Sequence, residues 1–263
     1  MSVINDPTFY VATVVAVLLV GIGKGGFGGG LGSVGVPIMA LAIPATQAAA
    51  ILLPVLCLMD LVGLISYRRC FDTGMMKMLF PGAILGIGLG AATFTITSDD
   101  FVGLLVGLLA VGFTLDRWFG ARLRRVDSSL VTSAAAPAPG VVKAGFWSSV
   151  AGYTSFVAHA GGPPLNVLLL PQRLDKSVYV GTTVMFFALA NYVKLIPYAV
   201  IGQFDGSNLG TSLVLAPLAP VGFALGYVFN QRVDEVLFYR IAYGALFLTG
   251  LKLLWDGRNA LGL

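Results

Sequence analysis

The feature that most constrains this chain is a glycine-rich break inside a long apolar run. The run Phe9–Ile43 carries one charged side chain, Lys24, and residues 21–37 within it contain nine glycines and Pro37. Neither glycine nor proline sustains an ordinary helix interior. Backbone that leaves the helix inside a bilayer must be buried in protein or line a polar cavity. Because membrane carriers hold anions at such broken segments, the pattern predicts an anion transporter.

The composition favours an all-α integral membrane protein. Of the 263 residues, 57% are hydrophobic and 11% are charged, and the mean hydropathy is +0.89, whereas a soluble domain is about 25% charged. The net charge of +4 arises between apolar segments, which is typical of cytoplasmic loops. Two cysteines do not provide a disulfide framework or a cysteine-based metal site. We expect no cofactor, no metal and no nucleic-acid partner, and a multi-pass protein surrounded by the lipid bilayer.

The apolar segments divide into two broken ones and six simple ones. The broken segments are Phe9–Ile43 and Val142–Leu170. Residues 121–141, which contain three arginines and a run of alanine and proline, predict a flexible cytoplasmic linker between a first transmembrane repeat, 1–120, and a second, 142–263. Each simple segment is long enough to cross a hydrocarbon core of about 30 Å. These segments are Ala48–Ser66, Met78–Thr97, Phe101–Phe119, Val178–Ile201, Leu209–Phe229 and Leu237–Leu254.

The two halves carry the same residues at matching positions. Matches in the broken segments share an offset of 127 positions, and the offset grows to 137 towards the end of the chain, as small insertions would produce. The tyrosines and tryptophans among the matches fit membrane–water interfaces. The pairs include Gly25 and Gly152, Gly35 and Gly162, Pro37 and Pro164, Leu64–Tyr67 and Leu195–Tyr198, and Trp118 and Trp255.

Loop charges bear on whether this repeat is inverted or parallel. Basic residues place the loop at 67–77 and the linker inside, and Arg173 and Lys176 indicate a further inside loop. These positions agree if each half is a re-entrant broken hairpin followed by three transmembrane helices, which makes the repeat inverted. Lys252 and Arg258 would then fall outside, against the rule. The alternative is a parallel repeat of eight simple crossings, with both termini inside.

The two glycine-rich motifs resemble those of a known family. The stretch Lys24–Gly32, together with five residues that follow it, resembles the first motif of the TauE/SafE sulfite exporter family, also called the toluene sulfonate uptake permease family. His159–Pro164 is similar to its second motif. The resemblance covers essentially the whole chain and implies a secondary carrier of small sulfur-containing anions, such as sulfite or an organosulfonate, in the cell inner membrane. We expect an exporter, although the family also includes uptake systems. The following residues of the first motif are Val36, Pro37, Pro44, Gln47 and Pro54.

A sulfur oxyanion in a low-dielectric site needs many hydrogen-bond donors, and glycine-rich bends offer backbone N–H groups without bulk. Lys24 is a candidate anion ligand because an intramembrane lysine is expensive and usually functional. Snorkelling of Lys24 to an interface is the alternative. Close helix packing explains the candidate glycines equally well. These glycines are Gly25, Gly26, Gly29, Gly30, Gly161 and Gly162.

Asp60 is the only acid deep in an apolar span. We expect it either to carry a coupling proton or to neutralise a lysine. The repeat places Asn191 opposite Asp60, and Lys194 follows Asn191 by one helical turn. Both join the predicted substrate-binding set. Because Gly63 corresponds to Lys194, the halves differ in polarity where a substrate would break the symmetry.

His159 is the only histidine of the chain and lies beside the second break. It either satisfies a buried carbonyl as a neutral imidazole or donates to an anion. Three polar residues near the breaks complete the predicted set, although each could instead bond backbone that glycine or proline frees. They are Ser33, Gln47 and Asn166. Thr154 and Ser155 have the same two explanations and stay outside the set.

Other functions remain open at this stage. An uncoupled anion channel, or an uptake permease for another small organic anion, would use the same residues. An intramembrane enzyme finds no support in paired acids, metal ligands or an activated serine. An assembly subunit would not need polar broken helices. We expect a carrier driven by a proton or ion gradient, and a homodimer is one expected assembly.

The inverted arrangement predicts which loops share a side of the membrane. Single cysteines at Ser98 and Ser207, with Cys57 and Cys70 replaced, should both react with an impermeant thiol reagent added outside. A cysteine at Ser128 should react only after the reagent reaches the inside. Labelling of positions 98 and 207 from opposite sides would favour the parallel arrangement instead.

Overall fold

The structure, a computed structural model, describes residues 4, 7–27, 31–94, 139–169, 172 and 174–232, with isolated positions between 104 and 119 and between 247 and 255. The regular elements within these ranges are all helical. The predicted spans Phe101–Phe119 and Leu237–Leu254 and the predicted linker lie largely outside the described residues. Gly29 and Gly30 also lie outside them.

The described helices follow the order of the predicted segments, and their ends differ from the predicted ends by a few residues. A short 3₁₀ helix, Leu31–Val34, precedes α2. The helices are α1 (Pro7–Gly26), α2 (Gly35–Met39), α3 (Ala45–Tyr67), α4 (Thr73–Phe94), α5 (Val141–Ala158), α6 (Gly162–Leu169), α7 (Lys176–Val200), α8 (Gly206–Leu215) and α9 (Leu218–Arg232).

Both broken segments form two helices separated by a break, as predicted. In the first, a Cβ atom added at Gly35 would lie 2.8 Å from Cγ2 of Val20, so α2 begins alongside α1. In the second, α5 ends at His159, whose φ of 51° is left-handed, and α6 starts at Gly162. A Cβ atom at Gly161 would lie 2.6 Å from the Ala151 carbonyl oxygen. Each short helix therefore begins beside an earlier turn of the longer helix that precedes it, so the two helices form a hairpin.

One predicted span is wrong as a single helix. The segment Leu209–Phe229 consists of α8 and α9, which meet at an angle of 43°. Pro217 lies in the break between Leu215 and Leu218. Because proline has no N–H to donate and its ring crowds the preceding turn, the helix bends there. The two pieces together still have the length and apolarity of one membrane span.

Four described helices are long and apolar enough to cross a membrane, or five segments if the bent pair is one span. They are α1, α3, α4 and α7. Large apolar side chains cover their outer surfaces; Ile65, Ile196 and Val200, for example, are 72%, 72% and 82% exposed. Such a surface suits lipid and not water.

The long helix of each hairpin packs against a helix of the other half through glycine. α1 lies on α9, where a Cβ atom at Gly226 would lie 2.3 Å from the carbonyl oxygen of Ile22. α5 lies on α4, where a Cβ atom at Gly86 would lie 1.9 Å from the carbonyl oxygen of Ser149. Backbones approach this closely only where side chains are absent. Because the long hairpin helix of each half packs on a helix of the other half, the two halves are interlocked.

The helices α3 and α7 cross at the centre, and their contacts run in opposite chain order. The carbonyl oxygen of Cys57 accepts from Tyr192, and the Asp60 carboxylate accepts from Asn191. At the far end a Cβ atom at Gly181 would lie 3.4 Å from the Cβ of Tyr67. Because rising numbers on α3 meet falling numbers on α7, the two helices are antiparallel.

The prediction that Tyr67 and Tyr198 belong to interfacial belts is wrong. Tyr67 is 8% exposed and Tyr198 is fully buried. The Tyr67 hydroxyl donates to the carbonyl oxygen of Gly25 at 2.8 Å, and the Tyr198 hydroxyl donates to that of Phe156 at 2.6 Å. These carbonyls lie in the last turns of α1 and α5, where helical partners run out. The tyrosine pair therefore caps both broken helices in the same way.

The glycine packing predicts unequal responses at two glycines of α4. Gly86→Ala forces a methyl group against the α5 backbone, so the protein should lose roughly 1–3 kcal/mol of stability. Gly88 has open space around it, so Gly88→Ala should be neutral or stabilise by about 0.5–1 kcal/mol. Thermal unfolding of the purified protein in detergent measures both. Equal stability of the two variants would contradict the close approach of α4 and α5.

Candidate functional site

A pocket lies where the two broken hairpins meet the α3–α7 crossing. It encloses about 290 Å³, counting its open mouth. Side chains or backbone from both halves of the chain line it. The lining residues are Lys24, Gly32, Leu56, Ser155, His159, Phe187 and Asn191.

An ion pair joins the first hairpin to the central crossing. Nζ of Lys24 lies 2.5 Å from Oδ1 of Asp60, and the two side chains are 5% and 0% exposed. Lys24 therefore points inward and does not snorkel to an interface. An ammonium group has three N–H donors, and this is the hydrogen bond that Lys24 makes within the described part of the chain. Two donors of a pocket-lining cation are thus available to a ligand.

The second oxygen of Asp60 is held by its counterpart in the other half. Nδ2 of Asn191 donates to Oδ2 of Asp60 at 2.6 Å. The repeat predicted that these two residues correspond. The carboxylate is therefore held from both sides, by Lys24 of α1 and by Asn191 of α7.

Lys194 is fully buried, and its ammonium group has a complete set of acceptors. Nζ of Lys194 lies 2.9 Å from the carbonyl oxygen of Ser155, 3.0 Å from Oγ of Ser155 and 3.0 Å from Nδ1 of His159. These three bonds use the three N–H donors. The carbonyl of Ser155 lies in the last turn of α5, where a cation is favourable. Lys194 therefore caps the second broken helix in this arrangement.

The contacts of His159 define its tautomer. Nε2 lies 2.8 Å from the carbonyl oxygen of Ala49, and a carbonyl can only accept, so Nε2 carries the hydrogen. Nδ1 is then the acceptor that receives the Lys194 ammonium. The ring is a neutral imidazole with both nitrogens engaged. It links α5, α3 and α7 around the pocket.

The formal charges at the pocket do not cancel. Lys24 and Lys194, as ammonium groups, contribute two positive charges, and Asp60 contributes one negative charge. His159 is neutral in the tautomer above. A buried surplus of positive charge is unfavourable unless a counter-ion approaches. The arrangement can therefore accept one small anion.

The family comparison agrees with this geometry. A family model described as Sulfite exporter TauE/SafE matches residues 13–253. The chain belongs to the TauE/SafE family. Searches among curated proteins and among solved structures find no match. The family is one of membrane transporters of sulfur anions, so the pocket of this TauE/SafE protein is the candidate anion site.

Two further predicted polar residues lie away from the pocket lining. Nε2 of Gln47 donates to Oδ1 of Asn208 at 3.2 Å, which ties α3 to α8. Oδ1 of Asn166 accepts from the Tyr179 hydroxyl at 2.7 Å, which ties α6 to α7. Oγ of Ser33 is buried without a hydrogen-bond partner among the described residues, next to the pocket-lining Gly32. A role of these three residues in substrate binding stays a prediction.

Close packing accounts for several of the predicted glycines. A Cβ atom at Gly25 would lie 2.2 Å from the carbonyl oxygen of Phe223 on α9, and Gly161 is equally confined against α5. Gly26 ends α1 and Gly162 begins α6, beside the two breaks. Packing and donor roles for these glycines are compatible. Within the described ranges, His, Cys, Asp and Glu side chains form no group of three that could hold a metal ion.

The site prediction missed four residues that line the pocket, Gly32, Leu56, Ser155 and Phe187. Helical spacing is the signal that could have found the last three. Ser155 precedes His159 by four positions and Leu56 precedes Asp60 by four, so each shares a helix face with a predicted residue. Phe187 lies on α7 one turn before Asn191 and follows the same rule. They give the pocket a hydroxyl group and an apolar wall.

The buried ion pair predicts non-additive stability changes. Asp60→Asn leaves the Lys24 ammonium buried without a counter-ion, and Lys24→Met leaves the Asp60 carboxylate buried without one. Each variant should therefore lose roughly 3–5 kcal/mol of stability. The double variant should recover most of the loss, because no uncompensated charge remains at the pair. Thermal unfolding in detergent measures all three. Lys77→Met, at an exposed lysine of α4, is the control and should change stability by less than about 0.5 kcal/mol. Losses that simply add would show that the two charges do not depend on each other.

Proposed function

We propose that this TauE/SafE protein is a secondary transporter that exports a small sulfur-containing anion, such as sulfite or an organosulfonate, across the cell inner membrane. The observation that carries the proposal is a buried pocket between two broken hairpins that Lys24 lines with two N–H donors not used within the described residues. An anion in the pocket would balance Lys24 and Lys194 against Asp60. Family membership supports the class of substrate, since the family transports sulfur anions.

Lys24 is the proposed anion ligand, and Asp60 is the proposed coupling group. An anion that bonds the two available N–H groups of Lys24 competes with Asp60 for the same ammonium. Asp60 then loses part of its compensation in a site that excludes water. A proton bound to the carboxylate would then replace the compensation that Lys24 no longer gives, and Asn191 would continue to orient the carboxyl group. One proton would therefore accompany one anion.

An inverted repeat is the proposed architecture, with halves at 1–120 and 142–263. The antiparallel contact of α3 and α7 supports it, because these helices correspond in the repeat and a parallel repeat keeps corresponding helices parallel. Two-fold axes that reverse helix direction lie in the membrane plane. The contact of Asp60 with Asn191, which correspond in the repeat, supports an axis near the pocket. Alternating access would then be a rocking of the hairpins about this point.

Flux into proteoliposomes tests the proposed function. The panel is sulfite, thiosulfate, sulfoacetate, sulfate and acetate, each with and without a pH gradient. We expect saturable transport of a sulfur anion and accumulation against its gradient only when a proton gradient is present. Flux that never accumulates would instead indicate an uncoupled channel. Preference for acetate would indicate a permease for another organic anion.

Two variants separate binding from coupling in the same assay. Lys24→Ala, made together with Asp60→Asn to avoid an unpaired charge, should abolish saturable anion binding, because both direct donors of Lys24 are lost. Asp60→Asn alone, assayed on protein that thermal unfolding shows to be folded, should keep counterflow exchange but lose proton-driven accumulation. Wild-type affinity in the double variant would rule out Lys24 as the anion ligand. Unchanged accumulation in Asp60→Asn would rule out the acid as the coupling group.

A further inference from the structure

Ser155 contributes a hydroxyl group to the lining of the pocket. Ser155 lines the pocket and is 2% exposed. Its Oγ accepts a hydrogen bond from Lys194 at 3.0 Å. A serine hydroxyl also has one hydrogen to donate, and within the described residues that hydrogen has no acceptor. Buried donors without acceptors are rare in native proteins.

The neighbouring serine and threonine side chains of α5 behave differently. Oγ of Ser148 donates to the carbonyl oxygen of Gly145 at 3.1 Å, and Oγ1 of Thr154 donates to that of Val150 at 2.8 Å. These bonds back to the preceding turn are the usual way for a helical hydroxyl to satisfy itself. Ser155 makes no such bond. Its hydroxyl is instead fixed by Lys194 at the edge of the pocket.

Lys194 cannot reach an anion without giving up a bond. Its three donors are held by the carbonyl and hydroxyl oxygens of Ser155 and by Nδ1 of His159. His159 is itself held by Ala49. A cation bonded to a hydroxyl oxygen polarises the O–H bond and makes the hydrogen a stronger donor. Lys194 therefore acts on a bound anion by strengthening the hydrogen bond that the Ser155 hydroxyl can donate into the pocket.

We propose that Ser155 is a second anion-binding residue, opposite Lys24, and that Lys194 is a positioning residue that acts on the anion through the Ser155 hydroxyl. The inference rests on the proposed function, since it describes the other wall of the same pocket. The anion would lie between an ammonium from the first half and a polarised hydroxyl from the second half. His159 holds Lys194 and does not itself donate to the anion.

Sulfite binding to the purified protein tests this assignment. Ser155→Ala should weaken sulfite affinity about tenfold or more, the size of effect expected of a hydrogen bond to a charged group. Ser148→Ala is the matched control on the same helix and should leave the affinity unchanged. Thermal unfolding is measured alongside, since Lys194 keeps two of its three acceptors in Ser155→Ala. Wild-type affinity in Ser155→Ala, with Lys24 variants still defective, would overturn the inference and leave the proposed function standing.

A second arm distinguishes a direct donor from a residue that only holds Lys194. In a Lys194→Met background there is no lysine to hold. If Ser155 donates to the anion, Ser155→Ala should still lower the affinity several-fold in this background. If Ser155 only holds Lys194, the second substitution should change nothing, and the assignment fails. Lys194→Gln, which keeps an N–H donor for the Ser155 carbonyl, serves as the background if the methionine variant does not fold.

Discussion

Two opposite charges, Lys24 and Asp60, meet at 2.5 Å in a region that water hardly reaches. Burial of either charge alone would be costly, so each depends on the other. The pair also has a structural consequence, because it joins a broken hairpin to the central helix crossing. Asn191 completes the link by holding the second carboxylate oxygen from the other half of the chain. A polar junction therefore lies inside the otherwise apolar interior of the fold.

The broken helices around this junction are held by backbone contacts as much as by side chains. α1 and α5 each pack on a helix of the opposite half at glycines that leave no room for a Cβ atom. Buried tyrosines cap carbonyls near the ends of both helices at almost equal distances. Backbone that would be unsatisfied in lipid is thereby paired inside the protein. Glycine therefore has two uses in this chain, at the breaks and, at other positions, at the close helix contacts.

The positions that the proposed repeat relates to one another differ in their chemistry. The position that corresponds to Lys24 is Ala151, the one that corresponds to Asp60 is Asn191, and the one that corresponds to Lys194 is Gly63. Lys24 is held by one bond and Lys194 by three. A cation that one bond holds can exchange partners more easily than a cation that three bonds hold. The first hairpin thus carries the exchangeable charge, and α7 carries a charge that the second hairpin holds in place.

The sequence by itself determined the membrane class and the two breaks, and it singled out the charged residues that meet at the pocket. These features are local, because glycine, proline and an intramembrane charge have the same physical meaning wherever the chain places them. Lys24, Asp60, Asn191, His159 and Lys194 were all recognisable in this way. The tertiary structure decided which of them meet, through contacts between residues 36 and 131 positions apart. It turned Tyr67 and Tyr198 inward, bent the helix at Pro217, and brought Ser155 to the pocket, because these outcomes depend on which helix packs against which.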